Sequence, residues 1–285
     1  MAIESQAASP VLVNGVATRN VDAADRGLHY GDGVFTTLPV RLGVPLFLNR
    51  HLARLQADAA RLGIPFPEHS LLAAEASSLA ARHPHSVLKI LLTRGVGGRG
   101  YRCPTDCAGT RVLSAHPPPD YPETIKKAGA RVRLCGLRLG LNPHLAGVKH
   151  LNRLEQVLAR AEWDDDGIRE GLLLDYEGFL VEGVMSNVFV VQGGRLRTPL
   201  LDRCGVAGVM RGLVLDLARE MGTAEEVCRL SVEDVFQADE VFLTNSVIGL
   251  WPVSQLEDQA FAVGPLTRLL AQGIEAATAL ELNPR

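Results

Sequence analysis

Hydrophobic and polar positions recur along this chain in short blocks, each the length of one element. Near the start, VLVNGVAT reads as two short strands around Asn14-Gly15, residues that tolerate the positive φ of a tight turn. A strand is predicted around VFTTLPVRL. From about Arg50 to Leu62 the residues Leu52, Leu55, Ala59 and Leu62 repeat at helical spacing. A second helix near LLAAEASSLAAR and a strand at SVLKILLTR follow. The segment His116 to Thr124, HPPPDYPET, carries four prolines in nine residues and can continue neither a helix nor a central strand. It sets the expected boundary between a smaller α/β domain over 1–118 and a larger domain over 119–285.

Beyond the prolines, RVRLCGLRL reads as a strand and HLNRLEQVLARAEW as a helix, with Asn152 and Glu155 spaced as a capping box. Strands follow at GLLLDYEG and FLVEGVMSNVFVV, joined by a turn near Glu177-Gly178. RLRTPLL returns after Gly193-Gly194, and the helix MRGLVLDLARE and the strand EVFLTNSV complete the second part. Strands outnumber helices and several are joined as hairpins. The expected fold class is therefore α/β in the sense of mixed α+β sheets, not a doubly wound parallel sheet.

Composition narrows the function. In 285 residues, 47% are hydrophobic, 5% are aromatic and the formal charge is -3, which suits an enzyme-sized globular chain and disfavours a nucleic-acid surface. There is no run of about 18 apolar residues and no charged-then-apolar leader pattern, so a cytoplasmic protein without membrane contact is expected. Cys103, Cys107, Cys135, Cys204 and Cys228 are an odd, scattered set that fits a reducing compartment. The eight histidines show no metal-ligand spacing, and no metal is expected.

Lysine is scarce: four residues among 29 basic ones. Lys126 and Lys127 follow the prolines and read as solvated, and Lys89 reads as one outward position of a strand. Lys149 is different, because Leu145, Val148 and Leu151 surround it in sequence. A desolvated amine sheds its proton more readily and becomes a nucleophile for carbonyls, the chemistry of Schiff-base enzymes. Glu182 lies in the apolar strand FLVEGVMSNVF, where a carboxylate wants a cationic partner such as a protonated pyridine; a Glu on a wet strand face is the plainer alternative. In LDRCGVAGVMRGLVLDL a Gly-rich loop runs into a helix start, so Val209 and Met210 could offer backbone N–H groups to a phosphate. Arg54 could add a charge-assisted contact. In RGVGGRGY, Gly95, Gly97 and Gly100 match a dinucleotide spacing, but Cys103-Pro104 follows where a helix would have to open; a mobile loop whose arginines meet an anionic substrate fits better.

Together DRGLHYGDGVFTT, HLARL, the Lys149 segment, VEGVMSNVF and GVAGVMR resemble the fold-type IV, class-IV aminotransferase-like pyridoxal-phosphate enzymes. This group includes branched-chain and D-amino-acid aminotransferases and 4-amino-4-deoxychorismate lyases. RLGLNPHLAGVKHLNRLEQVLAR and RGVGGRGY are similar to the lyase branch in particular. The resemblance implies a two-domain D-amino-acid aminotransferase-like fold, usually a homodimer, with the lysine in the larger domain. It implies that Lys149 carries pyridoxal 5'-phosphate as a Schiff base and acts as catalyst, that Glu182 pairs with the pyridine nitrogen, and that Arg54, Val209, Met210 and the hydroxyl of Ser246 hold the phosphate. The implied activity converts 4-amino-4-deoxychorismate to 4-aminobenzoate and pyruvate in folate biosynthesis. Tyr30, Thr37, Arg94 and Arg99 are candidate contacts to the substrate carboxylates. A D-amino-acid or amine transaminase of the same fold is the alternative. Arg99-Gly100-Tyr101 argues against it, because D-amino-acid aminotransferases typically carry an Arg-x-His trap in that region.

Overall fold

The turn at Asn14-Gly15 forms in the computed structural model, which describes residues 10–283; Asn14 has φ 50° and Gly15 φ 83°. Residues 1–9, over which no leader pattern was read, lie outside the described residues, as do 284 and 285. The chain divides into two units. The first takes in the chain through Pro119, with Lys149–Asn152 and the end from Glu281; the second holds Asp120–Val148 and Arg153–Leu280. This differs from a single cut after 118 in two respects: the lysine segment and the end from Glu281 both group with the first unit.

In the first unit, the turn joins β1 (Val11–Val13) to β2 (Val16–Ala17). Next comes α1 (Arg26–Tyr30), started by the Asp25 side chain, which accepts from Gly27 N, and stopped by Gly31 at φ 63°. Then follow β3 (Gly33–Arg41), β4 (Val44–Pro45), α2 (Leu48–Leu62), α3 (His69–Arg82), β5 (His85–Thr93) and β6 (Thr110–His116). The sheet order is β2-β1-β6-β5-β3-β4. Leu52, Leu55 and Ala59 line the buried side of α2 with no exposure, and Gly63 ends that helix at φ 63°. Removing each such leucine from water is worth about 1.5–3 kcal/mol.

The period-2 rule decides what β3 and β5 present. Val34, Thr36, Leu38, Leu88, Ile90 and Leu92 are buried, whereas Phe35, Thr37, Lys89 and Leu91 are half-buried. Lys149–Asn152 lies along β3: Phe35 N donates to Lys149 O at 3.0 Å and Leu151 N to Gly33 O at 3.0 Å.

The second unit opens with α4 (Thr124–Ala128), β7 (Ala130–Leu139), α5 (Leu154–Arg160), β8 (Ile168–Asp175), β9 (Leu180–Gly183), β10 (Asn187–Gln192) and β11 (Arg195–Pro199). It continues with α6 (Val209–Glu220), β12 (Glu225–Cys228), α7 (Val232–Phe236), β13 (Glu240–Asn245), β14 (Gly249–Leu256), β15 (Gln259–Ala260) and α8 (Pro265–Leu282). Its nine-stranded sheet runs β12-β11-β10-β13-β14-β7-β8-β9, with β15 on β14. β7 is parallel to β8 and β14, while β10 is antiparallel to β11 and β13, so the sheet is mixed as expected. Leu172, Val188, Val190, Leu243 and Val253 close its core.

Two local expectations fail here. The Asn152–Glu155 capping box does not form: Asn152 Nδ2 donates to Gly31 O at 3.3 Å and Glu155 Oε1 accepts from Gly140 N at 2.8 Å. Distant backbone groups outcompete the local cap, and α5 starts at Leu154 without a side-chain cap. The strand expected through FLVEGVMSNVFVV breaks between Gly183 and Asn187. Buried Glu170 on β8 takes a bond from Ser186 Oγ at 2.7 Å and one from Met185 N at 3.2 Å, which folds those residues into a turn.

Candidate active site

Lys149 is pinned at both of its backbone groups. Its N–H donates to Asp58 Oδ2 at 3.1 Å, its carbonyl is taken by Phe35, and its Nζ stands 4.6 Å from the centre of the Phe35 ring. The aromatic face favours a cation or a bulky apolar group, so the half-buried amine is held without being enclosed. Behind Phe35, Thr36 Oγ1 accepts from Arg54 Nη2 at 2.7 Å and lies 2.6 Å from His51 Nδ1. With Arg54 donating to that oxygen, the hydroxyl proton goes to Nδ1, which leaves His51 its proton on Nε2. Burial, reinforced by the charges of Arg54 and Lys149, holds the His51 imidazole well below its ordinary value, so the ring is neutral.

Arg54 is a buried cation with incomplete compensation. Its nearest carboxylate oxygen, Asp58 Oδ2, is 3.9 Å from Nε, and burial lowers the guanidinium to about 10 despite that neighbour. Among the described residues, Arg54 Nε and His51 Nε2 both lack a hydrogen-bond acceptor. Two buried N–H groups of this kind cost free energy until an acceptor rich in oxygen arrives.

Glu182, on β9 of the second unit, is 4% exposed. Its Oε2 accepts from Val206 N at 2.8 Å and its Oε1 from Gln156 Nε2 at 3.4 Å, and the positive charge of Arg153 lies close enough to couple to it. The loop beneath it is fixed by Asn187, which donates from Nδ2 to Val206 O at 2.8 Å and accepts from Gly208 N at 3.1 Å. Gly208 then begins α6 with no side-chain cap, so the N–H groups of Val209 and Met210 have no intrahelical acceptor. A Cβ at Gly208 would meet Asn187 Oδ1 at 2.1 Å; only glycine fits. Ser246, in the turn after β13, is half-buried. On the same strand Thr244 is 1% exposed with its hydroxyl unpartnered, and it sits directly across from Asn187.

The expected substrate contacts divide. Thr37 lies on the Phe35 face of β3. Tyr30 accepts at its hydroxyl from Gly100 N at 3.3 Å and stacks under the Arg26 guanidinium. Arg94 is committed elsewhere: it bonds Asp32 through Nε at 2.7 Å and Nη2 at 3.1 Å, and also the carbonyls of Leu62 and Gly63. Burial alone would raise the Asp32 carboxyl, but hydrogen bonds from Arg94 and Arg26 outweigh it and hold it below its ordinary value. These bonds give Arg94 an architectural place in the loop, while Arg99 is exposed. Sequence reasoning passed over His51, Asp58, Asn187 and Gln156. Only His51 left a trace, at three residues before Arg54 on one helical face.

Each unit by itself supplies groups that pyridoxal 5'-phosphate requires. An amine suited to an aldehyde and two unsatisfied N–H groups belong to one; a buried carboxylate and an uncapped helix start belong to the other. The residues fit the cofactor. Among the described residues, no cluster of three or more His, Cys, Asp or Glu could hold a metal.

Comparisons with known proteins agree with this geometry. Residues 33–256 match the family described as amino-transferase class IV. The chain is 36% identical to an aminodeoxychorismate lyase of Vibrio harveyi over 90% of this chain and 97% of that one. It is 31% identical to a putative branched-chain-amino-acid aminotransferase of Methanocaldococcus jannaschii, over 88% and 89%. The crystal structure of 4-amino-4-deoxychorismate lyase from Pseudomonas aeruginosa superimposes with a TM-score of 0.91 at 46% identity, covering 93% of this chain and 98% of that one. With one family spanning most of its length, this chain belongs to the class IV amino-transferases.

Proposed function

We propose that the protein is a pyridoxal-phosphate-dependent lyase that converts 4-amino-4-deoxychorismate to 4-aminobenzoate and pyruvate, a step of folate biosynthesis. The observation that carries the cofactor chemistry is Lys149 Nζ on the Phe35 ring beside Arg54 and His51, both of which hold unsatisfied N–H groups. Similarity to two lyases, at 46% and 36%, favours elimination over amino exchange.

Bound through its aldehyde, the cofactor supplies an electron sink for the carbanion formed at the substrate carbon. Lys149 would hold the cofactor aldehyde and, once free, would remove the substrate C4 proton as general base. Glu182, kept in place by Val206 N and Gln156, holds a proton at the pyridine nitrogen. Arg54 and the N–H groups of Val209 and Met210 would bind phosphate oxygens, with Ser246 adding a hydroxyl. The C–O bond to the enolpyruvyl group breaks, the leaving enolpyruvate takes up the proton that Lys149 removed and becomes pyruvate, and the ring becomes aromatic, which makes the step effectively one-way. As 4-aminobenzoate departs, Lys149 would again be free to hold the cofactor.

Cytoplasmic residence and a homodimer belong to the same proposal. Both are supported by the family likeness; among the described residues, no helix is long and apolar enough to cross a membrane.

The test supplies 4-amino-4-deoxychorismate to the cofactor-loaded protein and to a Lys149→Ala variant. Equimolar 4-aminobenzoate and pyruvate, lost in the variant, is the expected result. A lysine-dependent cofactor absorbance without either product would replace the lyase reading with a transaminase.

A further inference from the structure

We propose that Lys89 anchors a carboxylate of the substrate beside Lys149 and so selects for a dicarboxylic acid. This rests on the lyase reading. Strand alternation puts Lys89 of β5 on the same face as Phe35 and Thr37 of β3, and the register sets it directly opposite Thr37. Its Nζ lies 5.0 Å from the centre of the Phe35 ring, the same ring that carries Lys149 Nζ at 4.6 Å. Two ammonium groups therefore share one aromatic side chain, within about 10 Å of each other, a range over which partly buried charges still interact.

Nothing among the described residues neutralises Lys89. Three other cations of that unit are spent: Arg26 and Arg94 on Asp32, and Arg111 on Glu75 through two bonds of 2.7 Å. Among the described residues Lys89 has no carboxylate partner, and burial lowers its proton affinity. Phe35 offsets only part of that desolvation. A carboxylate arriving at this face would pair with the Lys89 ammonium and offset its desolvation. The substrate brings two, one on the ring and one on the enolpyruvyl ether. Since Arg94 is occupied by Asp32 and by two carbonyls, and Lys149 is reserved for the cofactor in the proposed function, Lys89 is left on the Phe35 face with donors to give.

The experiment compares wild-type, Lys89→Met and Lys89→Arg holoenzymes. It measures kcat and KM, retention of the cofactor, and binding of 4-aminobenzoate and of pyruvate by equilibrium dialysis. Loss of one charge-assisted contact should raise KM about tenfold or more in Lys89→Met, well beyond any fall in kcat, with the cofactor retained. One product should lose affinity in step, which names the carboxylate held, and Lys89→Arg should recover most of the loss. Unchanged KM and unchanged product binding would overturn the proposal. So would a shifted pH profile of the cofactor absorbance with KM unaltered, because Lys89 would then act on the proton of Lys149 alone. If the wild type forms no 4-aminobenzoate, the lyase reading fails, and dialysis still decides the role of Lys89.

Discussion

The Lys149 cluster and the Glu182 cluster reach readiness for a ligand by opposite means. Around Lys149, buried side chains do the holding: one hydroxyl, Thr36, serves both His51 and Arg54, and two N–H groups stay unsatisfied. Around Glu182, the carboxylate is satisfied by Val206 N and Gln156, and the groups left open are backbone N–H at the start of α6. The first arrangement stores an electrostatic deficit in cations, and the second stores directional donors in a fixed main chain. Side-chain changes should therefore act on the first through charge and hydrogen bonding, and on the second through backbone shape.

The largest effect expected from breaking this contrast is at Glu182, the carboxylate proposed to pair with the pyridine nitrogen. Glu182→Gln keeps the shape and removes the charge, so kcat should fall on the order of 100-fold while the cofactor stays bound; turnover close to wild type would mean that the carboxylate is structural. Next is Thr36→Val, which strips acceptor and donor from two buried partners at once. It should cost about 1–3 kcal/mol in urea unfolding, and a neutral result would show that His51 and Arg54 find other partners. Gly208→Ala tests the backbone side, since the added Cβ collides with Asn187 Oδ1. Its cofactor Kd should rise about tenfold with kcat at saturation little changed, a loss of roughly 1.4 kcal/mol.

The smallest expected effect concerns the turn between β9 and β10. Burial raises the Glu170 carboxyl to about 7, against hydrogen bonds from Ser186 and nearby N–H groups. Because the folded-state value lies above the unfolded one, the protonated carboxyl contributes stability below about 4.5 that is lost as pH rises through about 7. Glu170→Gln cannot ionise. Its Tm relative to wild type should climb across that window and level off above it; a difference independent of pH would rule out ionisation of Glu170 as the cause.

Much of this was legible in the sequence because it rests on short-range rules. The helix of Leu52, Leu55 and Ala59, the Asn14-Gly15 turn and the uncapped start at Val209 follow from periodicity and turn chemistry. Lys149 and Glu182 stood out as charges in apolar surroundings. What escaped depended on distant partners. Arg94 looked available until Asp32 was folded against it, and Asn152 looked like a cap until Gly31 claimed it. Lys89 read as an ordinary outward lysine because alternation gives the face of a residue but not what else is on that face.

The attachment of Lys149–Asn152 to β3 gives this chain an unusual grammar. The nucleophile reaches the first unit as a four-residue guest, docked by Phe35 N and Gly33 O and inserted from sequence that otherwise belongs to the second. A fragment ending at Pro119 would therefore keep the Phe35 ring and the Arg54 cluster yet have no lysine to present. Those vacated main-chain groups on β3 would become a socket for a short extended peptide, and one carrying the sequence around Lys149 would be its natural plug.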